Sequence, residues 1–311
     1  MLPGTPLRLN SFKVILAFAC VYFFWGSAFV AIRYSVQLVH PAFVAGIRYL
    51  IAGSILLGFL SIKGYSLKLV RQDVWKVAGL GLLMFSCNTV LLSYGGKELP
   101  AGMVALIIAT IPLFIVLLES VLPGGAVPGL WCWVGIVTGF LGIFILLRHS
   151  IQGGLLSHNA ISAIWSLVVA AFAWGLGSIL LNRTRFASRS LVCTCWQMLI
   201  GGTADIILGL ASGGYHTSQW TQGAWLSTFY LAIFGTLVGY TSYSFLLQNV
   251  SISSVATYAY VNPLVAVFLG WLLLGEPLST TQWLGLIIVL TSVAVVTIQS
   301  REQRVAGERG F

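Results

Sequence analysis

Apolar residues in this chain come in long unbroken blocks, and polar residues gather in the short stretches between them. Ten such blocks stand out, at 14–33, 42–62, 75–95, 101–122, 129–147, 160–181, 191–211, 225–246, 253–274 and 282–298. Each approaches the roughly 20 residues that an α-helix needs to cross a bilayer core. Strands of a membrane barrel are about 10 residues long and alternate in polarity, which these blocks do not. The pattern therefore predicts an all-α, polytopic membrane protein of ten transmembrane helices. The first block exceeds the roughly 7–15-residue core of a cleaved signal and leads straight into further spans, so it is read as a span.

Composition strengthens this reading. Hydrophobic residues make up 58% of the 311 positions and charged residues 7%, against about 25% charged in an ordinary soluble domain. That excludes a soluble enzyme, a disordered chain and a DNA-binding domain. The net charge of +9 is explained by topology. With the N-terminus inside, Arg8, Lys13, Lys63, Lys68, Arg71, Lys76, Arg183, Arg185, Arg189, Arg301, Arg304 and Arg309 all fall on the cytoplasmic side. Only Arg33, Lys97 and Arg148 fall outside. By the positive-inside rule both termini are cytoplasmic, and no nucleic-acid partner is needed. The five cysteines lie in apolar stretches and read as small buried hydrophobes. No nucleotide-binding loop, hydrolase motif or metal-ligand cluster is present, so no catalytic residue, metal or cofactor is expected.

The chain also repeats itself. Phe23-Phe24-Trp25-Gly26 matches Phe172-Ala173-Trp174-Gly175, and Pro112-Leu113 matches Pro263-Leu264. Trp133-Val134-Gly135-Ile136 likewise matches Trp283-Leu284-Gly285-Leu286. These matches, at offsets of 149–151, divide the chain into units at 14–147 and 160–298, each with five spans. An odd number of spans inverts the second unit in the membrane. Inverted repeats are typical of secondary transporters, which hold substrate near the midplane between the halves. The chain is read as a secondary active transporter working by alternating access. The alternative is a non-transporting membrane component, such as a receptor or assembly subunit.

Candidate chemistry follows from polar and helix-breaking residues within the spans. Pro112 and Pro263 occupy matching mid-span positions and free the carbonyls of Ile108 and Ala259, which need new partners in a medium without water. They are read as hinges, the alternative being kinks that serve packing. Tyr258 and Asn262, four residues apart, share a helix face, and so do Tyr240 and Tyr243. Together they suggest an aromatic, weakly polar cavity, unless the tyrosines seal the bundle. Trp25-Gly26-Ser27 and Trp174-Gly175 set a large ring beside a residue that allows close approach. Most tryptophans lie near span ends, as interfacial residues do; Trp25, Trp174 and Trp196 do not. Arg48 and Asp205 lie about 9 Å deep, six residues into their spans at 1.5 Å each. Embedded ionisable groups are functional candidates: Arg48 as carboxylate ligand or gate, Asp205 as carrier of a coupling proton. Their equal depth permits a pair; snorkelling or structural hydrogen bonds are the alternatives. Gln197 is the repeat partner of Arg48. Gly135, Gly139 and Gly142 read as packing residues.

Several segments together resemble the ten-helix drug/metabolite transporter superfamily, specifically its EamA-type members. They are Trp25-Gly26-Ser27, Pro41 followed by Arg48, Ala109 to Phe114, Ala173-Trp174-Gly175, Tyr258 to Pro263, Gly275-Glu276-Pro277-Leu278 and Trp283-Leu284-Gly285. The resemblance covers about residues 14–298. It implies an inner-membrane exporter of small metabolites, such as neutral or amphipathic amino acids, analogues or drug-like compounds. It also implies a central cavity lined by the first, third, fourth, sixth, eighth and ninth helices. That set includes Trp25, Ser27, Thr110, Trp174, Tyr240, Tyr243, Tyr258 and Asn262, and it adds Asn88 from the middle of the third helix. It argues against Arg48 and Gln197 as direct ligands. The counterpart of Gly275-Glu276 is Gly125-Ala126, so no symmetric role is expected for Glu276. The expected partners are a small-molecule substrate and the bilayer, with proton coupling an open question. Nothing specifies an oligomeric state.

Overall fold

Proline and glycine punctuate the chain where the spans begin and end. In the computed structural model, which describes residues 11–123, 129–152, 158–213, 220–250, 255, 257–276 and 280–309, Pro41 opens one helix at its first turn, where its missing N–H has no helical partner to lose. Gly64, Gly213 and Gly275 adopt positive φ just past the ends of three others, the left-handed conformation that glycine takes at no steric cost. Gly64 and Gly213 stand 149 residues apart, so the repeat extends to how its second helix stops.

Among the described residues ten helices follow one another. They are α1 (Phe12–Leu38), α2 (Pro41–Ile62), α3 (Arg71–Glu98), α4 (Ala101–Val121), α5 (Leu130–Gln152), α6 (His158–Arg183), α7 (Ser190–Ala211), α8 (Gln222–Leu246), α9 (Tyr258–Leu274) and α10 (Thr280–Arg309). Seven of them are long and apolar enough to cross a membrane along their described length, and α5, α9 and α10 carry shorter apolar stretches. The fold is the all-α polytopic bundle that the apolar blocks predict. Ten crossings put both termini on one side, called here the terminal side; the other is the opposite side.

Pairing of helices follows the duplication. α2 packs along α7 and α5 along α10, each helix against its own repeat mate. Small residues allow this approach. A Cβ on Gly46 would stand 2.9 Å from the Gly202 carbonyl oxygen, and one on Gly202 would stand 2.9 Å from that of Gly46. Between α5 and α10 the Ser292 hydroxyl donates to the Gly135 carbonyl, and a Cβ on Gly139 would press on Ser292 and Leu113. Gly139 and Gly142, against Ser292 and Ile288, have the packing role expected of them.

Local irregularity is concentrated at mid-depth. Wide π-helical turns interrupt α1 at Val21–Trp25, α3 at Gly81–Cys87 and α8 at Leu231–Val238. The last two begin 150 residues apart; the first has no counterpart among the described residues of α6. Such turns release backbone groups from the regular ladder and recur at functional sites.

Candidate functional site

Several of these irregular turns border a central cavity of about 110 Å³. It is lined from α1, α2, α3, α4, α6, α8 and α9. Trp25 contributes from the midpoint of α1 and Trp174 from α6; their rings meet edge to face at 5.9 Å. Trp25 also contacts Tyr243 at 5.0 Å and Tyr258 at 5.2 Å. The Trp25 indole N–H donates to the Gly235 carbonyl at 3.1 Å, inside the π-turn of α8. This aromatic group bounds the cavity towards the terminal side, with Tyr243 behind it. Tyr240 extends the group towards Phe85, 5.4 Å away.

Among the described residues, Arg48 is the only charged one lining the cavity. It is 8% exposed. Its Nε donates to Thr236 Oγ1 at 3.3 Å, and its guanidinium lies 4.7 Å from the centre of the Tyr49 ring. The only ion pairs among the described residues are elsewhere, Arg33 with Glu276 and Lys76 with Asp73. Asp205 attracts Arg48 without an ion-pair contact: it is fully buried outside the cavity lining, and its Oδ1 accepts from the Ser86 hydroxyl. Its Oδ2 has no hydrogen-bond partner.

Two amides also line the cavity. Asn88 donates from Nδ2 to the Ala170 carbonyl at 2.8 Å. Asn262, 4% exposed, leaves Oδ1 with no partner. A buried acceptor left unpaired costs about 1–3 kcal/mol, so a donor from a bound molecule would relieve it.

The two prolines act differently. α4 breaks at Ala109–Thr110 and restarts at Ile111 with Pro112 in its first turn, whereas α9 runs through Pro263 without a break. Ile108 and Ala259, four residues before each proline, both line the cavity, as does Pro263.

Of the other residues singled out from sequence, Ser27, Thr110, Pro112, Tyr243 and Gln197 do not line the cavity. Thr110 Oγ1 bonds back to the Ile107 carbonyl at 2.6 Å. Gln197 is 1% exposed with both amide atoms unpartnered. Ser27 faces away on α1 and meets the Tyr230 hydroxyl at 2.6 Å. Trp196 bonds the Leu67 carbonyl at 2.9 Å, near the terminal side. The resemblance set α2 aside, yet α2 supplies Arg48 and Tyr49. Tyr49 and Thr236 escaped sequence reasoning; the signal for Tyr49 was its place beside an embedded arginine.

Glu276 also escaped it. Its Oε1 pairs with Arg33 Nε at 3.2 Å, and its Oε2 accepts from the Ala101 backbone N–H at 2.9 Å, capping α4. Arg33 donates further to the carbonyls of Gly96 and Lys97 at 3.1 and 2.5 Å. One ion pair thus ties the ends of α1, α3, α4 and α9 on the opposite side. At the repeat offset of 149, Arg33 matches Asn182; the neighbouring Arg183, on the terminal side, donates to the Pro123 carbonyl at 2.9 Å, and residue 126, which matches Glu276, lies outside the described residues. The matched glycines differ in the same sense. A Cβ on Gly26 of α1 would stand 2.6 Å from Val265 and 3.1 Å from the Asn262 carbonyl of α9. One on Gly175 of α6 would stand 3.4 Å from Phe114 and 3.7 Å from the Ile111 carbonyl of α4. Val265 and Asn262 are the repeat mates of Phe114 and Ile111, so of two equivalent interfaces between the halves one is tight and the other looser.

Comparison with known proteins gives a consistent picture. The chain is 33% identical to the uncharacterized inner membrane transporter YedA of Escherichia coli, over 91% of this chain and 90% of that one. It is 23% identical to the uncharacterized transporter YvbV of Bacillus subtilis, over 96% of both. A crystal structure at 18% identity superposes with a TM-score of 0.66 over 93% of this chain and 98% of the other, which supports the fold alone. The EamA-like transporter family matches residues 12–148 and again 161–298. The chain is a multi-pass membrane protein that belongs to the EamA-like transporter family.

Proposed function

We propose that this chain exports small amphipathic, carboxylate-bearing metabolites, such as amino acids or their analogues, across the cytoplasmic (inner) membrane by alternating access. The observation that carries this reading is the cavity's polar set. An embedded guanidinium with no carboxylate in ion-pair contact stands in the same chamber as an amide oxygen without a donor. Arg48 supplies the site for a carboxylate, and Asn262 Oδ1 accepts from an N–H of the substrate. The aromatic faces of Trp25, Trp174 and Tyr258 suit an apolar side chain or an ammonium group. A zwitterion satisfies both ends at no net charge, which favours its movement through a low-dielectric site.

The tight α1–α9 contact, the looser α6–α4 contact and the ion pair on one side support a repeat-swapping cycle in which this conformation is closed at the opposite side. The distribution of Lys and Arg supports cytoplasmic termini, so that in this conformation closure is on the external side.

The experiment is efflux measured in cells challenged with a panel of amino acids, analogues and drugs. Asn262→Ala is expected to lower efflux about tenfold, the effect of roughly 1.4 kcal/mol lost at one substrate hydrogen bond. Gly58→Ala serves as control at matched expression, because a Cβ there meets no atom within 4 Å. Gly139→Ala is a poor control, since it would press on Ser292 and Leu113. Equal efflux by the two variants would move the site elsewhere.

Asp205 favours proton coupling as a second feature of the same function. A fully buried carboxylate with one unpartnered oxygen is suited to gain and lose a proton during the cycle. Asp205→Asn is expected to retain exchange of substrate for substrate while losing acceleration by an imposed pH gradient. Undiminished acceleration would exclude Asp205 as the coupling group.

A further inference from the structure

α1 separates two chambers. Trp25, Ala28, Phe29 and Ile32 face the central cavity. Phe23, Ser27, Val30, Ala31 and Tyr34, on the other face of the helix, floor a second crevice of about 510 Å³. Its walls are Ser227 and Tyr230 of α8 and Leu269, Leu273 and Leu274 of α9. Its rim is open to the surroundings of the bundle: Phe23 is 50%, Tyr34 42% and Leu273 65% exposed.

Three observations identify what fills it. The crevice lies between transmembrane helices, so bilayer hydrocarbon is the medium at its mouth. From Tyr34 to Phe23 it spans eleven residues of α1, about 16 Å at 1.5 Å per residue. That is close to one leaflet, half of a core about 30 Å thick, running from the opposite face to mid-depth. Finally, the hydroxyls within it, those of Ser27, Ser227 and Tyr230, are satisfied internally, and only Tyr34, at the rim, carries a further one. Ser27 bonds Tyr230 at 2.6 Å and the Phe23 carbonyl at 2.7 Å. Ser227 accepts from Ser35 at 2.7 Å and donates to the Gly223 carbonyl at 2.9 Å. A wall whose inner polar groups are already paired offers little to a polar ligand and suits a hydrocarbon chain, with the Tyr34 hydroxyl at the headgroup end, where tyrosine is usual.

We infer that this crevice is a lipid site, holding one acyl chain of a phospholipid from the opposite leaflet against α1. The chain supports α1 from behind, on the face away from the central cavity, and wedges between α8 and α9.

The test uses the full chain in lipid nanodiscs containing a phospholipid with a photoactivatable diazirine on its acyl chain, with crosslinks mapped by peptide mass spectrometry. The comparison surface is the exposed face of α6 at the same depth, formed by Ile161, Trp165, Val169 and Phe172, which are 40–64% exposed. Crosslinks to the Phe23–Tyr34 and Ser227–Tyr230 segments are expected to exceed those to this face several-fold. Ala31→Trp, which fills the crevice, should bring them down to the α6 level. Leu273→Trp, at the exposed rim, is the second variant should the first fail to fold. Equal labelling of the two surfaces in the unsubstituted protein would overturn the assignment. So would an enrichment that persists in a folded variant.

Discussion

Replacing Arg48 by glutamine is expected to lower transport of carboxylate-bearing substrates by about 10–100-fold, with the loss appearing mainly as a raised KM. A hydrogen bond to a charged group contributes about 1.5–3 kcal/mol, and each 1.4 kcal/mol is roughly a factor of ten. The direct contacts of Arg48 are one 3.3 Å bond to Thr236 and the Tyr49 ring, and it attracts Asp205 without an ion-pair contact. The bundle should therefore fold without the charge. Arg48→Lys is expected to recover only part of the loss, because an ammonium lacks the planar fork that grips a carboxylate. Analogues in which the carboxylate is replaced by an amide should be transported equally by both proteins. If the substitution slows them as strongly as the parent compounds, Arg48 acts in folding or gating and not as the carboxylate ligand.

The second large effect is expected at the ion pair on the opposite side. Glu276→Gln removes the charge that holds Arg33 while retaining an oxygen that can still cap Ala101. The pair is partly buried, with side chains 22% and 16% exposed. Loss of a charged hydrogen bond in such a setting corresponds to about 1.5–3 kcal/mol. That shifts a two-state equilibrium roughly 10–100-fold towards the conformation open on that side. A cysteine introduced at Ala28, which lines the central cavity, should then react correspondingly faster with an impermeant thiol reagent added from that side. Arg33→Gln should do the same, and the double substitution should add little to either. Additive effects, or unchanged labelling, would remove the pair from the gate.

The membrane fold was legible because each of its determinants is local. Span length, apolar composition, Pro41 at a helix start and Gly64 or Gly213 at a stop can all be read residue by residue. The repeat was legible because matching positions face matching tasks: Gly26 and Gly175 admit the helices that carry Asn262 and Ile111. The lining of the candidate site was legible where a residue type was costly in its setting. Trp25 and Trp174 stood away from the interface where tryptophan is usual, and Asn88 and Asn262 stood in apolar surroundings. It was not legible where a helix face decided the matter. Ser27 follows Trp25 by two residues and so points out of the cavity, to the crevice. Thr110 spends its hydroxyl on its own helix. Glu276 was obscured for a different reason: its partners lie 243 and 175 positions away in sequence, and no repeat match marked it. Arg48 was set aside with α2, although its depth alone had pointed to it.

The central claim is that a small carboxylate-bearing molecule crosses the membrane unchanged through the cavity that contains Arg48 and Asn262. The most direct measurement is accumulation of radiolabelled amphipathic amino acids in proteoliposomes by counterflow, with recovered solute identified by mass. Saturable accumulation of intact substrate is predicted, lost in Arg48→Gln and Asn262→Ala and retained in Gly58→Ala. Absence of accumulation for every compound, or accumulation that both cavity substitutions leave unchanged, would contradict it.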